Sequence, residues 1–317
     1  IEDKVKFKNL GFAVIDEQHK FGVAQRAQLR DKNIIPPHIL VMTATPIPRT
    51  LALTAYGDLD YSVMDELPPG RKPILTTHRN ESARPQIMSF IKEEIDLGRQ
   101  AYIVYPLIEE SSAMDYENLM KGYEEVKSFF PEPKFWISMV HGKQPFEQKE
   151  ANMQRFVKGD TNIMVSTTVI EVGVNVPNAS VMVIESAEKF GLSQLHQLRG
   201  RVGRGADKSY CVLLTGNKLS NDARERMKIM VATNDGFVIA EKDLEIRGPG
   251  EIEGTKQSGA LNFMLASLVN DKAMLEVAKI TVENLLNTDP DIMLQENEPV
   301  KNFLVSQKGK TKWSKIA

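Results

Sequence analysis

The sequence predicts an α/β protein in which helices cover parallel β-sheets. Short apolar runs recur along the chain up to about residue 214, and segments with helical spacing of apolar residues separate them. Glycines follow the last apolar residue of two helical segments, where helix C-caps are expected. The apolar runs that we expect to form strands cover residues 10–15, 39–42, 101–105, 136–140, 163–166, 181–184 and 210–214.

The helical segments between these strands carry apolar residues at intervals of three and four. Residues 87–95 precede Gly98 and residues 153–157 precede Gly159, so both glycines are expected to mark helix ends. Strand patterns mostly disappear beyond residue 219. Helices are predicted there over residues 222–233 and 272–286, which makes the last third of the chain mainly helical.

This order of elements divides the chain into three regions, residues 1–78, 79–217 and 218–317. The proline-rich stretch at residues 67–73 is the predicted linker. Only two strong strands fall in the first region, whereas a complete open sheet of this class has five or six. We therefore expect the chain to begin within one α/β domain and to continue through a complete second one.

Composition excludes several classes of protein. The 317 residues include 40 basic and 42 acidic side chains, and the net charge of −2 gives no general affinity for nucleic acid. The single cysteine, Cys211, excludes an internal disulfide and a zinc site built on paired cysteines. No apolar run approaches the roughly 20 residues that span a bilayer, so we expect a soluble protein of a reducing compartment without a membrane partner.

Polar residues follow the first two predicted strands, at the edge where open parallel sheets bind their ligands. Asp16 and Glu17 come directly after the first strand, and adjacent carboxylates at such a position suit a Mg²⁺–nucleotide site. The same pair also fits a helix N-terminus, where acidic side chains are favourable charge partners. Thr43 and Thr45 follow the second strand, where hydroxyls fit either a ligand contact or a helix N-cap.

Two later segments carry comparable residues, which we also expect beyond the carboxyl ends of strands. Residues 166–168 (Ser-Thr-Thr) follow a predicted strand and lead to Glu171 and Gly173. Residues 197–204 contain three arginines and two glycines, and we expect Arg201 and Arg204 to share one face of a helix. Their mutual repulsion favours an anionic partner such as a phosphate group, although a solvated basic helix is the alternative.

In this order the segments resemble the motifs of superfamily 2 helicases and translocases. Residues 16–19 resemble the Walker B box (motif II), residues 43–46 motif III, residues 166–177 motif V and residues 197–204 motif VI. The resemblance narrows to the RecG family of bacterial ATP-dependent DNA helicases. The segments that carry it are residues 16–22, 43–50, 57–60, 67–71, 235–237, 243–250 and 254–259.

The resemblance implies a particular architecture and activity. Residues 1–78 would be the end of a first RecA-like motor domain and residues 79–217 a complete second one, and residues 218–317 would form a helical hairpin and loop (the TRG element) with the C-terminal region. The implied function is ATP-dependent translocation on double-stranded DNA, which regresses stalled replication forks and processes branched DNA in recombination and repair.

The resemblance also implies ATP and Mg²⁺ as cofactors and a role for each matching residue. Asp16 would help to coordinate Mg²⁺, Glu17 would activate the attacking water, and Arg201 and Arg204 would approach the γ-phosphate. The same nucleotide site would include His19, Gly173 and Gln197. The residues expected to contact DNA or to couple the motor to it are Thr43, Thr45, His141, Gly142, Thr167, Thr168, Arg224, Arg247 and Gln257.

Two features depart from the family pattern. No Gly-x-x-x-x-Gly-Lys-Ser/Thr segment occurs, so we expect the Walker A motif and the wedge domain in an upstream part of the same protein and no useful ATPase activity of this chain alone. Asn175 stands where the family often has aspartate, which keeps hydrogen-bonding capacity without the charge. The family implies a monomer in the bacterial cytoplasm, associated with the nucleoid and bound to branched or forked DNA.

Two alternative functions stay open at this point. A translocase similar to Mfd, which acts on stalled RNA polymerase, would carry an upstream polymerase-interacting domain. A non-catalytic DNA-binding or interaction module would have lost its P-loop, but such a module would have no use for the retained carboxylates and arginines.

Overall fold

The computed structural model describes residues 5–17, 35–44, 46, 62–64, 66, 68–107, 112–167, 175–205, 208–247 and 271–307. The chain forms two compact units, one of Ile1–Val63 with Leu244–Ala317 and the other of Met64–Asp243. Each unit contains one of the two parallel sheets in the described residues.

The sheet of the smaller unit has two described strands, β1 (Phe12–Ile15) and β2 (His38–Val41). They pair in parallel, with Ala13 opposite Ile39. The Met42 N–H donates a hydrogen bond to the Ile15 carbonyl oxygen at 2.7 Å, which holds the ends of the two strands together. These strands confirm those predicted at residues 10–15 and 39–42, with ends that differ by one or two residues.

The larger sheet has six strands in the order β3-β8-β7-β4-β6-β5, and all its pairs are parallel. Every residue of the central strands β4 and β7 is buried, as expected for a sheet covered on both faces. The strands are β3 (Leu75–Asn80), β4 (Gln100–Tyr105), β5 (Ile137–Val140), β6 (Ile163–Thr167), β7 (Ala179–Ile184) and β8 (Tyr210–Thr215). The parallel α/β fold class is therefore confirmed.

Strand β3 is the one strand of this sheet that the sequence does not predict. Its residues, Leu-Thr-Thr-His-Arg-Asn, contain a single large apolar side chain. β3 lies at the sheet edge and pairs only with β8, so it has no need of the continuous apolar run of a central strand. The predicted domain boundary at residue 78 falls within this strand.

Eight helices lie in the described part of the chain: α1 (Arg84–Asp96), α2 (Ser112–Phe129), α3 (Phe146–Val157), α4 (Leu192–Arg199), α5 (Asn221–Ala232), α6 (Gly236–Arg247), α7 (Lys272–Thr288) and α8 (Glu298–Gln307). α1 buries Ile87, Ile91 and Ile95 in the core of the larger unit, as its apolar spacing predicts. Gly98 and Gly159 follow α1 and α3 with φ of +83° and +81°, the left-handed conformation that ends a helix.

The C-terminal described segment consists of α7 and α8 joined by a turn. Asp289 organises this turn, because its carboxylate accepts hydrogen bonds from the backbone N–H groups of Met293 and Leu294 at 2.8 and 2.9 Å. The helical character predicted for this region is confirmed. Among the described helices, none combines the length and the apolar character needed to cross a bilayer.

Candidate functional site

The acidic pair of motif II lies in the smaller unit, directly after β1. Asp16 is exposed, and its Oδ1 accepts a hydrogen bond from the Glu17 backbone N–H at 2.8 Å. Glu17 has a φ of 52°, a left-handed conformation that is uncommon for residues other than glycine. Backbone strain of this kind is concentrated at functional sites, and here it turns the chain sharply at the carboxylate pair.

Thr43 lies at the same sheet edge as Asp16. Both residues follow the ends of adjacent parallel strands, and the hydrogen bond from Met42 to Ile15 brings those ends together. Ligands of open parallel sheets usually bind beyond the carboxyl ends of neighbouring strands. This edge offers such a ligand a carboxylate and a hydroxyl. His19 and Thr45 lie outside the described residues.

A second set of candidate residues lies at the carboxyl edge of the larger sheet, where Thr167 ends β6 and His141 follows the neighbouring strand β5. The hydroxyls of Ser166 and Thr167 are buried and have no hydrogen-bond partner among the described residues. An unpartnered buried hydroxyl costs free energy, so this edge is suited to a group that can bond to it. Thr168 and Gly173 lie outside the described residues.

The turn after β5 contains a buried histidine, His141, followed by an exposed glycine, Gly142. The His141 backbone N–H donates a hydrogen bond to Gln144 Oε1 at 3.1 Å. Burial, Lys149 and Lys143 lower the pKa of His141, so its imidazole is neutral at physiological pH. Gly142 is exposed, with no atom within 4 Å of the position that a Cβ would occupy, and Lys149 Nζ donates to its carbonyl oxygen at 2.8 Å. An anionic chain can approach this backbone closely.

The arginines of motif VI lie at the opposite, amino edge of the same sheet. A Cβ on Gly203 would lie 2.9 Å from Cγ1 of Ile74, which precedes β3. A Cβ on Gly205 would lie 2.6 Å from the carbonyl oxygen of Pro177, which precedes β7. The expectation that these arginines lie beyond the carboxyl ends of strands is therefore wrong, because α4 returns the chain across the sheet. The six residues of β4 separate the two edges by roughly 17 Å.

The expectation that Arg201 and Arg204 share one face of a helix is also wrong. α4 ends at Arg199, and the chain continues as a turn in which Gly203 has a φ of +75°. Arg204 is exposed, and its Nε donates to the Gly200 carbonyl oxygen at 3.3 Å. Burial raises the pKa of Tyr102 at the start of β4 to about 12, and the positive charges of Arg201 and Arg204 counteract it. Both arginines therefore lie on the turn after α4, at the amino edge of the sheet and near Tyr102.

A third arginine of this segment, Arg199, is buried and was missed by the sequence reasoning. It is 2% exposed, and its Nη1 donates to the carbonyl oxygens of Met230 and Thr233 at 2.9 and 2.8 Å. These carbonyls lie at the end of α5, so Arg199 fastens the end of α4 to the end of α5. Sequence alone gives little signal for it, because buried and exposed arginines look alike in an arginine-rich segment.

A buried ion pair at the carboxyl edge was also missed. Arg84 donates from Nη1 and Nη2 to the two carboxylate oxygens of Glu185 at 2.7 and 2.8 Å, and Glu185 is only 3% exposed. Burial raises the pKa of Glu185 to about 7, although the Arg84 guanidinium opposes this shift. The pair fixes the start of α1 to the end of β7. Its partners are 101 residues apart in the chain, so sequence spacing gives no signal for it.

The remaining predicted site residues lie on helices or outside the described part of the chain. Gln197 is half-buried in α4, and Arg224 is exposed in the first turn of α5. Arg247 is the last residue of α6, and Gln257 lies outside the described residues.

The carboxylates after β1 and the arginines after α4 are chemically suited to bind a nucleotide with Mg²⁺. The ion takes oxygen ligands, usually one or two carboxylates together with phosphate oxygens and water, and Asp16 and Glu17 can supply the carboxylates. Within the described ranges, no group of three or more histidine, cysteine or acidic side chains could hold a metal without such help. Arg201 and Arg204 carry the guanidinium groups that best match phosphate oxygens.

The fold together with these two edges defines a RecA-like helicase motor domain. The family model for the helicase conserved C-terminal domain matches residues 86–206. The solved structure of the DUF1998 helicase MrfA bound to DNA matches 75% of this chain and 35% of its own, with a TM-score of 0.52 and 17% identity, a level that supports the fold alone.

Sequence comparison then shows similarity to one particular family. A second family model, for domain 3, C-terminal, of the ATP-dependent DNA helicase RecG, matches residues 233–317. The ATP-dependent DNA helicase RecG of Synechocystis is 53% identical over 302 residues, and that of Aquifex aeolicus is 49% identical over 315 residues. The structure of RecG bound to a three-way DNA junction matches 86% of this chain and 34% of its own, with 44% identity and a TM-score of 0.64.

The chain is a homologue of RecG and corresponds to its C-terminal part. The matches cover 95% and 98% of this chain but only 36% and 39% of the Synechocystis and Aquifex proteins. The chain thus spans less than half the length of these curated relatives.

Proposed function

We propose that this chain is the C-terminal motor portion of an ATP-dependent double-stranded DNA translocase that regresses stalled replication forks and processes branched DNA in recombination and repair. One observation carries the proposal: a chain about half identical to RecG presents Arg201 and Arg204 on a turn that Gly203 and buried Arg199 hold in place. Guanidinium groups on a fixed turn are suited to negative charge that develops on a transferred phosphoryl group.

The nucleotide site takes its residues from the segments that resemble motifs II and VI. Asp16 would help to hold Mg²⁺, and Glu17 would accept a proton from the attacking water. Arg201 and Arg204 stabilise the charge on the γ-phosphate, and Gln197, His19 and Gly173 belong to the same site. Mg²⁺, when bound, neutralises phosphate charge. Hydrolysis in this proposal requires closure of the motor around the nucleotide.

The DNA site lies at the carboxyl edge of the larger sheet. Gly142 and its neighbour His141, with the hydroxyls of Thr167 and Thr168, contact the sugar-phosphate backbone of one strand. The exposed backbone at Gly142 and the unpartnered Thr167 hydroxyl support this assignment. Contacts of this kind position a protein on DNA without reading its sequence, which suits a motor.

A further group of residues couples ATP hydrolysis to movement on DNA. Thr43 and Thr45 relay the state of the nucleotide to the grip on DNA, and Arg224, Arg247 and Gln257 convert closure into DNA movement. Arg199 supports this assignment, because it ties α4, the helix before the turn of Arg201 and Arg204, to α5, the helix that begins the C-terminal region.

The rest of the full-length parent protein supplies the parts of the motor that this chain lacks. We propose that it supplies the Walker A motif and the wedge domain upstream of residues 1–78, so that residues 79–217 act as the second motor domain and residues 218–317 as the TRG region. The parent acts as a monomer in the bacterial cytoplasm, at the nucleoid, on branched or forked DNA. Three-way junction DNA is bound in the RecG structure that this chain resembles.

The test is ATP hydrolysis by the full-length parent with single-stranded, linear duplex and forked DNA. The strongest stimulation on forked DNA, with reannealing of the parental strands, is the expected result. No stimulation by any of the three would remove the motor assignment. The purified 317-residue chain should hydrolyse ATP at a negligible rate, and robust turnover by it would contradict the requirement for an upstream Walker A motif.

A further inference from the structure

We infer that Arg71 is a positioning residue for the arginine loop, residues 200–204, and that it acts on ATP hydrolysis through Arg204. The inference rests on the function proposed for that loop. Arg71 lies in the segment that leads into β3, seven residues after Met64, the first residue of the larger unit.

The contacts of Arg71 reach both ends of the loop. Its Nε donates a hydrogen bond to the Gly203 carbonyl oxygen at 3.1 Å, and its Nη2 donates to the Gly200 carbonyl oxygen at 3.4 Å. Gly200 caps α4, and Gly203 directly precedes Arg204. A planar guanidinium has donors in a fixed geometry, so it sets the spacing of these two carbonyls in a way that a lysine ammonium cannot.

Arg204 shares one of these acceptors, because its Nε donates to the same Gly200 oxygen at 3.3 Å. A carbonyl oxygen has two lone pairs and can accept from both arginines. Burial lowers the pKa of Arg71, and the nearby positive charge of Arg204 lowers it further. Both guanidinium groups are therefore anchored on the same carbonyl oxygen at the end of α4.

The residues after Arg71 contact Gly203 and the residue that precedes β8. The Leu75 N–H donates to the Ser209 carbonyl oxygen at 2.9 Å, and Ile74 occupies the space beside Gly203. Gly203 has a φ of +75°, and a Cβ there would lie 2.9 Å from Ile74 Cγ1, so glycine is the residue that fits this position without a shift of the loop. The segment from Arg71 to Leu75 therefore contacts the loop at Gly200 and Gly203.

The experiment measures DNA-stimulated ATP hydrolysis by the full-length parent carrying Arg71→Ala. We expect kcat to fall about tenfold, equivalent to about 1.4 kcal/mol. The KM for ATP and the affinity for DNA should change less than about threefold, because Arg71 touches neither ligand. Lys72→Ala is the matched control, since Lys72 is an exposed cation on the same segment, and it should keep the wild-type kcat.

Two further variants separate positioning from a structural role. Arg71→Lys keeps the charge but loses the planar set of guanidinium donors, so its kcat should lie between those of Arg71→Ala and the wild type. It serves as the test if Arg71→Ala fails to fold. The double variant Arg71→Ala/Arg204→Ala should be no slower than Arg204→Ala alone, because one residue acts through the other.

The outcomes distinguish failure of this inference from failure of the proposed function. Wild-type kcat in folded Arg71→Ala or Arg71→Lys, or losses that add in the double variant, would overturn the role of Arg71 while hydrolysis itself stands. Absence of DNA-stimulated hydrolysis in both the wild type and Lys72→Ala would overturn the proposed function and the inference with it.

Discussion

The guanidinium of Arg199 donates a hydrogen bond to the Thr233 carbonyl oxygen at 2.8 Å and thereby joins the end of α4 to the end of α5. The same Nη1 donates to Met230, and Nη2 contacts Nδ1 of His196 at 3.0 Å. A buried charge persists only when it is paired or fully hydrogen-bonded, and here carbonyl groups supply the acceptors. The arrangement makes the α4–α5 junction rigid next to the arginine loop.

Replacement of Arg199 should therefore destabilise the protein. Arg199→Ala leaves the carbonyls of Met230 and Thr233 without this donor, and we expect the free energy of unfolding to fall by about 2–4 kcal/mol. Urea unfolding followed by circular dichroism measures the change. Lys228→Ala is the control, because Lys228 is an exposed cation on α5 whose removal should cost less than about 1 kcal/mol. Equal stability of the two variants would contradict a structural role for Arg199.

Arg204 should behave differently, because it is exposed and its proposed role is chemical. In the parent protein, Arg204→Ala should reduce DNA-stimulated ATP turnover about 100-fold or more, as expected for loss of a charge that stabilises the transition state. The affinity for DNA, measured by fluorescence anisotropy, should stay nearly unchanged. Lys208→Ala removes another exposed cation from the same connection and should leave turnover intact. Unaltered turnover in Arg204→Ala would remove it from the catalytic residues.

The sequence predicts most strands of this chain, but it does not predict which arginines are buried or what they bind. Apolar runs predict strands β4 to β8, because the central strands need continuous hydrophobic side chains and the edge strand β5 is also apolar. They could not predict edge strand β3. The local pattern likewise could not show that Arg199 points into the core while Arg204 is exposed, since this depends on the carbonyl groups at the end of α5. Partners distant in sequence, such as Arg84 and Glu185, are fixed only by the fold.

Gly203 provides a test of the loop shape. Gly203→Ala combines an unfavourable φ of +75° with a Cβ 2.9 Å from Ile74 Cγ1, so the loop must shift. We expect reduced ATP turnover together with a stability loss of about 1–2 kcal/mol. Gly98→Ala is a close control, because Gly98 has a φ of +83° but no atom within 4 Å of a Cβ. It should lose about 1 kcal/mol of stability and keep normal turnover. Equal turnover in the two variants would show that loop shape does not matter.

His196 should make stability depend on acidity. Burial lowers the pKa of His196 to about 4, with further lowering by Arg199 and Arg71 and an opposing effect of Asp235. The unfolded chain has a histidine pKa of about 6.5, so below that pH the unfolded state binds a proton that the folded state does not. The contribution of His196 is therefore fully present above about pH 6.5 and is lost as the pH falls towards 4.

The variant His196→Asn isolates this effect, because its amide oxygen can still accept the hydrogen bond from Arg199 but does not titrate. Urea unfolding at a series of pH values should show the difference in stability between wild type and variant shifting in favour of the variant as the pH falls from about 6.5 to 4. A difference that is constant across this range would mean that His196 titrates equally in both states.

Arg247, the last residue of α6, tests the coupling that we propose for the C-terminal region. In the parent protein, Arg247→Ala should keep DNA-stimulated ATP hydrolysis within about twofold of the wild type, because the nucleotide residues are untouched. Fork remodelling, measured by the reannealing of labelled parental strands, should be abolished. Lys242→Ala, at an exposed cation on the same helix, should retain both activities. Equal losses of hydrolysis and remodelling in Arg247→Ala would mean that Arg247 supports the motor itself, since a coupling residue separates the two activities.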